Sequence, residues 1–185
     1  MPDSDQHPFY FLSTAFTYPE HDDLTPPFTA LLALSDDLGL DNLHPDKVEP
    51  LSLRWLQSEY VRLFINSPDG VPAPPYASIY IQNRGILLQH GHQQAMAFYQ
   101  RAGLEPIKSS ECEDHLAHEL AFIGHLLDNG QIELLDEFLT EHVLTWYPDF
   151  LKCLLAAHPC RFYMILSQVT DLCIKHLIKK EAAHE

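Results

Sequence analysis

Apolar residues recur at helical spacing along most of this 185-residue chain, and no segment alternates convincingly as a strand would. An aromatic-rich segment, FYFLSTAFTYP, closes at Pro19. In TPPFTALLALSDDLG, Thr25 suits a helix cap, Pro26 and Pro27 suit a first turn, and Gly39 stands just past the end. EPLSLRWLQSEYVRLFIN repeats apolar side chains at Leu53, Leu56, Tyr60, Leu63 and Phe64, which predicts an amphipathic helix with a broad buried stripe. Four prolines and a glycine between Ser67 and Ser78 then force a semi-rigid loop. IYIQNRGILLQHG reads as a helical turn or a short extended piece, with helix favoured. HQQAMAFYQRAG is a helix stopped by Gly103. Further helices are expected through QIELLDEFLTEHVLTWY up to Pro148, through PDFLKCLLAAH up to Pro159, and through CRFYMILSQVTDLCIKHLIKK.

The segment SSECEDHLAHELAFIGHLLDNG (109–130) carries most of the candidate chemistry. Ser110 and Glu113 form a Ser-x-x-Glu capping box, and Glu111, Glu113 and Asp114 place negative charge in a first helical turn. A helix running from there puts Leu116, Leu120, Ile123 and Leu127 on a core face, with Asp114, His118 and His125 opposite. Glu111, His115, Glu119 and Phe122 fall on a separate side stripe at i, i+4 spacing. The bland reading is a capped helix with solvent-facing histidines, and it leaves the stripe without a purpose. Aromatic residues Trp55, Tyr60, Phe64, Tyr76 and Tyr80 read mainly as core; Tyr76 and Tyr80, beside the proline loop, can also line a groove.

Together these elements predict an all-α helical bundle forming one domain over residues 1–185. The length also allows a single domain with a mobile subdivision. The formal charge of −15, from 11 Lys and Arg against 26 Asp and Glu, excludes non-specific nucleic-acid binding and favours a basic partner if it favours any. No stretch approaches the length of a membrane span, and acids occupy the N-terminus where a secretory signal carries basic residues. The four cysteines (Cys112, Cys153, Cys160 and Cys173) form no Cys-x-x-Cys pair and read as reduced thiols of a cytoplasmic protein. His115 with Glu119 or Glu111 could supply two metal ligands, with His90, His92 or His142 as partners by residue type alone. The His-Glu-x-x-His arrangement is absent, as are a nucleophile elbow and a phosphate loop, so no metal, cofactor or catalytic residue is expected.

Four motifs, in order between residues 59 and 150, resemble those of the TorD/DmsD family of cytoplasmic chaperones, the redox enzyme maturation proteins related to NarJ. EYVRLF (Glu59–Phe64) is similar to the family's Tyr-x-x-Leu-Phe helix end, and PPYASIY (Pro74–Tyr80) to its Pro-Pro-aromatic-x-Ser-x-Tyr segment. ECEDHLAHELAFIGHLL resembles its Glu-Pro-x-Asp-His helix, and EHVLTWYPDF its His-x-x-x-Trp-x-Pro-x-Phe stretch. Two positions depart from the pattern: Cys112 replaces a common proline, and Tyr76 a tryptophan found in some members.

The resemblance implies a non-enzymatic chaperone. It would bind the twin-arginine signal peptide and the apoprotein of a molybdenum-cofactor oxidoreductase and hold them until the cofactor is inserted, before export. It also implies a peptide-binding set in which Asp114 and His115 are the functional pair, with Tyr76, Ser78 and Gly91 around the same groove. To these the side stripe adds Glu111, Glu119 and Phe122, and the loop adds Tyr80. Carboxylates beside an apolar surface suit a peptide with two arginines and an apolar stretch, since arginine pairs bidentately with Asp or Glu. The resemblance also implies a subdivision into 1–103 and 110–185 with a hinge at 104–109, and a monomer able to exchange these helical subdomains into a dimer across Gly103–Ser110. A helical metal-dependent hydrolase using Asp114, His115 and His118, and a plain helical interaction domain, are the competing readings.

Overall fold

The computed structural model describes residues 7–21, 25–40, 52–81, 90–105 and 111–181. Every regular element among them is helical: α1 (Pro8–Ala15), α2 (Thr25–Asp37), α3 (Leu53–Tyr60), α4 (Ala77–Tyr80), α5 (His90–Arg101), α6 (Leu116–Asp128), α7 (Ile132–Phe138), α8 (Leu144–Ala156) and α9 (Arg161–Glu181). A π-helical turn extends α3 through Val61–Ile65, and another joins α7 to α8 through Leu139–Val143. The all-α fold read from the sequence is the fold observed. No helix among the described residues is long and apolar enough to cross a membrane.

The chain divides into two compact units, each discontinuous in sequence. One comprises residues 1–17 and 74–150, the other residues 18–73 and 151–185. This differs from the expected subdivision at 104–109, because α5 and α6, on either side of that connector, belong to the same unit. Residues 106–110 of the connector lie outside the described residues, as do 82–89 of IYIQNRGILLQHG.

In the first unit α1 lies along α6. Ser13 donates to the Ala117 carbonyl at 2.7 Å, and the Tyr10 hydroxyl donates to Asp128 at 2.7 Å. Gly124 allows this approach, since a Cβ there would stand 3.0 Å from the Tyr10 ring. Leu116, Leu120 and Ile123 are buried as the periodicity predicts, while Leu126 rather than Leu127 completes the core face. Around them pack Phe9, Leu12, Phe16, Phe138, Trp146 and Phe150.

Two boundaries differ from expectation. Helix α6 starts at Leu116 with His115 as its cap, five residues after the anticipated Ser110, which itself lies outside the described residues. Pro148 does not end a helix but stands inside α8. It can give the Leu144 carbonyl no N–H, yet the backbone ladder is already interrupted by the adjoining π turn, and buried Tyr147 and Phe150 hold the helix on either side.

In the second unit Ser52 caps α3 by accepting from the Trp55 amide at 3.2 Å. Leu56, Tyr60, Leu63 and Phe64 are buried, as the amphipathic pattern predicts. Trp55 is 46% exposed and is not a core residue, because its position on α3 faces away from that stripe. Tyr60, Phe64 and Tyr163 form an edge-to-face aromatic cluster with centroids 5.0–5.2 Å apart along Tyr60–Phe64–Tyr163. Glu59 and Arg62 of EYVRLF tie this cluster to the α8–α9 turn. Arg62 donates twice to the Glu59 carboxylate (2.7 and 2.8 Å) and once to the Ala157 carbonyl (3.1 Å), while Glu59 accepts from the Cys160 amide at 2.8 Å. The motif is thus an orphan-satisfying staple at the end of one helix and the start of the next.

Candidate functional site

The proline segment supplies the first half of the candidate site. Pro74 and Pro75 carry no N–H, so the chain here can pair only through its carbonyls and through the residues that follow. Tyr76 is extended (φ −131°, ψ 128°) and forms a single antiparallel bridge with His115. The Ala77 amide donates to the Asp114 carbonyl at 3.1 Å, and the Leu116 amide donates to the Pro75 carbonyl at 2.8 Å. This bridge holds His115 extended (φ −71°, ψ 137°) after a hydrogen-bonded turn at 113–114, so α6 starts at Leu116.

Asp114 and His115 are adjacent but serve different elements. The Asp114 carboxylate turns to α4 and accepts from the Ser78 amide at 2.8 Å. His115 turns to α6, its Nδ1 accepting from the Ala117 amide at 3.1 Å, so in the neutral ring the proton sits on Nε2. The Tyr76 ring stands edge-on to the His115 ring at 4.9 Å, and the Tyr76 hydroxyl donates to the Glu111 carboxylate. Gly91, at the start of α5, is required by contact: a Cβ there would lie 2.6 Å from the Ser78 nitrogen.

Burial orders the electrostatics. Asp114 is 0% and His115 2% exposed, which corrects the expectation of an outward face for Asp114. Burial pulls the His115 imidazole down to about 4, against the pull of the nearby Glu111 and Asp114 charges, so the ring is neutral at neutral pH. The second oxygen of Asp114, Oδ1, and the Ser78 hydroxyl are buried and make no hydrogen bond within the described residues. His92 Nδ1 lies 3.8 Å from that Asp114 oxygen and 3.4 Å from the Glu113 carboxylate.

The side stripe is also corrected. Glu111 and His115 precede α6, so they do not share a helix face with Glu119 and Phe122. Glu119 is fully buried: His142 Nε2–H donates to one oxygen at 2.7 Å and Trp146 Nε1–H to the other at 3.1 Å. Burial raises its carboxyl above the usual range, with the His142 charge opposing. Phe122 is buried against Tyr99 and Phe138 (4.6 and 4.9 Å). Neither side chain offers surface to a ligand; both support the site from below. Tyr80 stacks on Trp146 at 5.8 Å and belongs to the same support. The structure therefore brings Tyr76, Ser78, Gly91, Glu111, Asp114 and His115 together, and sets Glu119, Phe122 and Tyr80 in the packing behind them.

The ligands required by the hydrolase reading do not converge. Asp114 is bound to α4, His115 Nδ1 to the Ala117 amide, and His118 Nδ1 to the Cys112 carbonyl at 3.0 Å. Sequence reasoning missed three contributors: His92 and His142, both weighed only as metal ligands, and Trp146; of these, His142 and Trp146 hold Glu119. The spacing in EHVLTWYPDF was their signal. A separate surface recess of about 490 Å³ is lined by Arg101, Gln131, Ile132, Glu133 and Glu137, and no candidate residue reaches it.

Comparison with known proteins agrees with the motif pattern. The nitrate reductase delta subunit family matches residues 22–152. The Tat proofreading chaperone DmsD of Salmonella typhi is 25% identical over 171 residues, covering 87% of this chain and 82% of that protein. The chaperone protein TorD of Vibrio cholerae (strain M66-2) is 34% identical over 142 residues, covering 66% of this chain and 64% of that protein. A crystal structure of an Archaeoglobus fulgidus protein assigned to redox enzyme maturation superposes with a TM-score of 0.61 at 25% identity, covering 91% and 93% of the two chains. With its four motifs, its helical fold and relatives that are chaperones rather than enzymes, this chain belongs to the TorD/DmsD family of redox enzyme maturation chaperones.

Proposed function

We propose that this chaperone acts in the cytoplasm by holding the precursor of a molybdenum-cofactor oxidoreductase through its twin-arginine signal peptide, docked at the junction of the proline segment and the α6 start. The observation that carries this reading is the buried Asp114 carboxylate, one oxygen of which makes no hydrogen bond within the described residues, beside Glu113 and the half-buried Tyr76. A guanidinium supplies the planar pair of donors that such a carboxylate lacks, and the Tyr76 ring offers apolar surface to the following segment of the leader. His115, Gly91 and Glu119 hold this junction rigid. The names of the Salmonella typhi and Vibrio cholerae relatives support the same class of work.

Isothermal titration with synthetic twin-arginine leaders tests the reading. Saturable binding that weakens at least tenfold when both arginines become Ala is expected. If no leader is retained, or if the Ala versions bind equally, arginine recognition at this junction is wrong. The protein is expected to be a monomer whose helices on either side of 103–110 can exchange with a second copy; a single concentration-independent species in light scattering would remove the exchanged dimer.

A further inference from the structure

We propose that His92 is a pH-responsive gate on the acid pair Glu113–Asp114, competing with an incoming guanidinium for the same carboxylate oxygens. This deepens the reading of the leader site and rests on it. Three observations carry it. The Asp114 side chain is 0% exposed, whereas His92 and Glu113 are 20% and 28% exposed, so the two outer groups cover the inner one. His92 Nδ1 sits between both carboxylates, 3.4 Å from Glu113 and 3.8 Å from Asp114, too long and poorly aimed to be a made hydrogen bond. Asp114 Oδ1, His92 Nδ1 and the Ser78 hydroxyl are all buried atoms that make no hydrogen bond within the described residues. A buried polar cluster in that state calls for a further hydrogen-bonding partner.

The position of His92 follows from its neighbours on the chain. Gly91 lets the start of α5 press against the Ser78 backbone, and this close approach brings the next residue over the turn that carries Glu113 and Asp114. Tyr99, two turns along α5, fixes the other side of the turn by donating its hydroxyl to the Glu113 carbonyl at 2.8 Å. Among the described residues, the charged groups within 4 Å of the His92 ring are Glu113 and Asp114. Glu111 is engaged by Tyr76, and His115 is neutral and committed to its cap, so Glu113 and Asp114 are the charges that His92 meets.

The sign follows from charge. Protonated His92 is a cation held by the two carboxylates, and an arginine must displace it. Neutral His92 has no such hold, so the ring can swing aside and the guanidinium can take both carboxylates. Arginine affinity therefore rises as pH rises through the His92 titration. The change is roughly tenfold if bound arginine lowers the His92 midpoint by one unit.

The test combines two measurements on the full chain. Binding of a twin-arginine leader, and separately of arginine amide as a minimal guanidinium probe, is measured from pH 5.5 to 8 for the wild type and for His92→Gln, which keeps a polar side chain without a titration. The His92 ring resonances are followed by NMR over the same range, with and without arginine amide. The expected result is a roughly tenfold rise in affinity for the wild type, a flat profile for His92→Gln, and a lower His92 midpoint when the probe is bound. An equal pH slope in the variant, or a His92 midpoint indifferent to the probe, overturns the gate. Arginine amide binding with this pH profile while every leader fails leaves the gate standing and removes the leader reading instead. If neither ligand binds at any pH, both fall.

Discussion

His115 and Gly91 are where single side chains decide whether the junction exists. The His115 ring is the cap of α6, and its depressed titration ties folding to pH. Its folded value of about 4 lies below the ordinary 6.5, so the native state binds fewer protons than the unfolded chain. Its contribution is therefore complete above pH 6.5 and is lost as pH falls toward 4, amounting to roughly 3 kcal/mol at most. His115→Asn keeps a capping oxygen but cannot titrate. Its urea midpoint should fall less steeply between pH 7 and 4.5 than that of the wild type; equal slopes would remove His115 as the source. Gly91→Ala drives a methyl into the Ser78 backbone and should cost about 1–3 kcal/mol by denaturant unfolding. An unchanged midpoint would mean that α4 and α5 separate freely. The resemblance identified Asp114, His115 and Gly91 by position, but their physical roles were not legible, because Asp114 and Gly91 answer to Ser78 and the His115 cap is set by the bridge from Tyr76.

At the scale of elements, the helices were readable from periodicity, and Gly39 and Gly103 fall just past α2 and α5 as read, but the start of α6 and the run of α8 through Pro148 were not legible. Leu116, Leu120 and Ile123 face the core as their spacing requires, and Leu120→Ala should cost about 2–5 kcal/mol. Ser110 and Glu113 mimic a capping box, yet residues 113–114 form a turn and the bridge from Tyr76 keeps His115 extended, and no local pattern announces that bridge. Glu119 misled for a related reason. A carboxylate at stripe spacing reads as surface, but His142 and Trp146, 23 and 27 residues later, make its burial tolerable. Two family motifs therefore meet at one carboxylate, and removing it leaves two buried donors without a partner. Glu119→Ala should cost about 3–5 kcal/mol, and Glu119→Gln markedly less because the amide still accepts one of the two hydrogen bonds. Equal losses in both variants would mean that the negative charge, rather than the hydrogen bonds, holds α6 to α8.

Over the whole molecule, apolar periodicity gave the helical class and composition the acidic balance, but neither gave the division into units. That division follows long-range packing of residues 1–17 with 74–150, and no shift in composition marks it. The charge of −15 has its own consequence for a basic leader. Association should be fast at low salt and slow as ionic strength rises, with dissociation little changed. Stopped-flow rates across a salt series check this, and a salt-independent association rate would assign the charge to solubility alone. The central claim is that the leader docks where the proline segment meets the start of α6. Amide hydrogen exchange of the full chain, with and without a twin-arginine leader, tests it most directly. Slowed exchange confined to residues 76–81, 90–95 and 111–117 is the predicted result. Protection centred instead on α7 and the recess beside Arg101, with those segments unchanged, would contradict it.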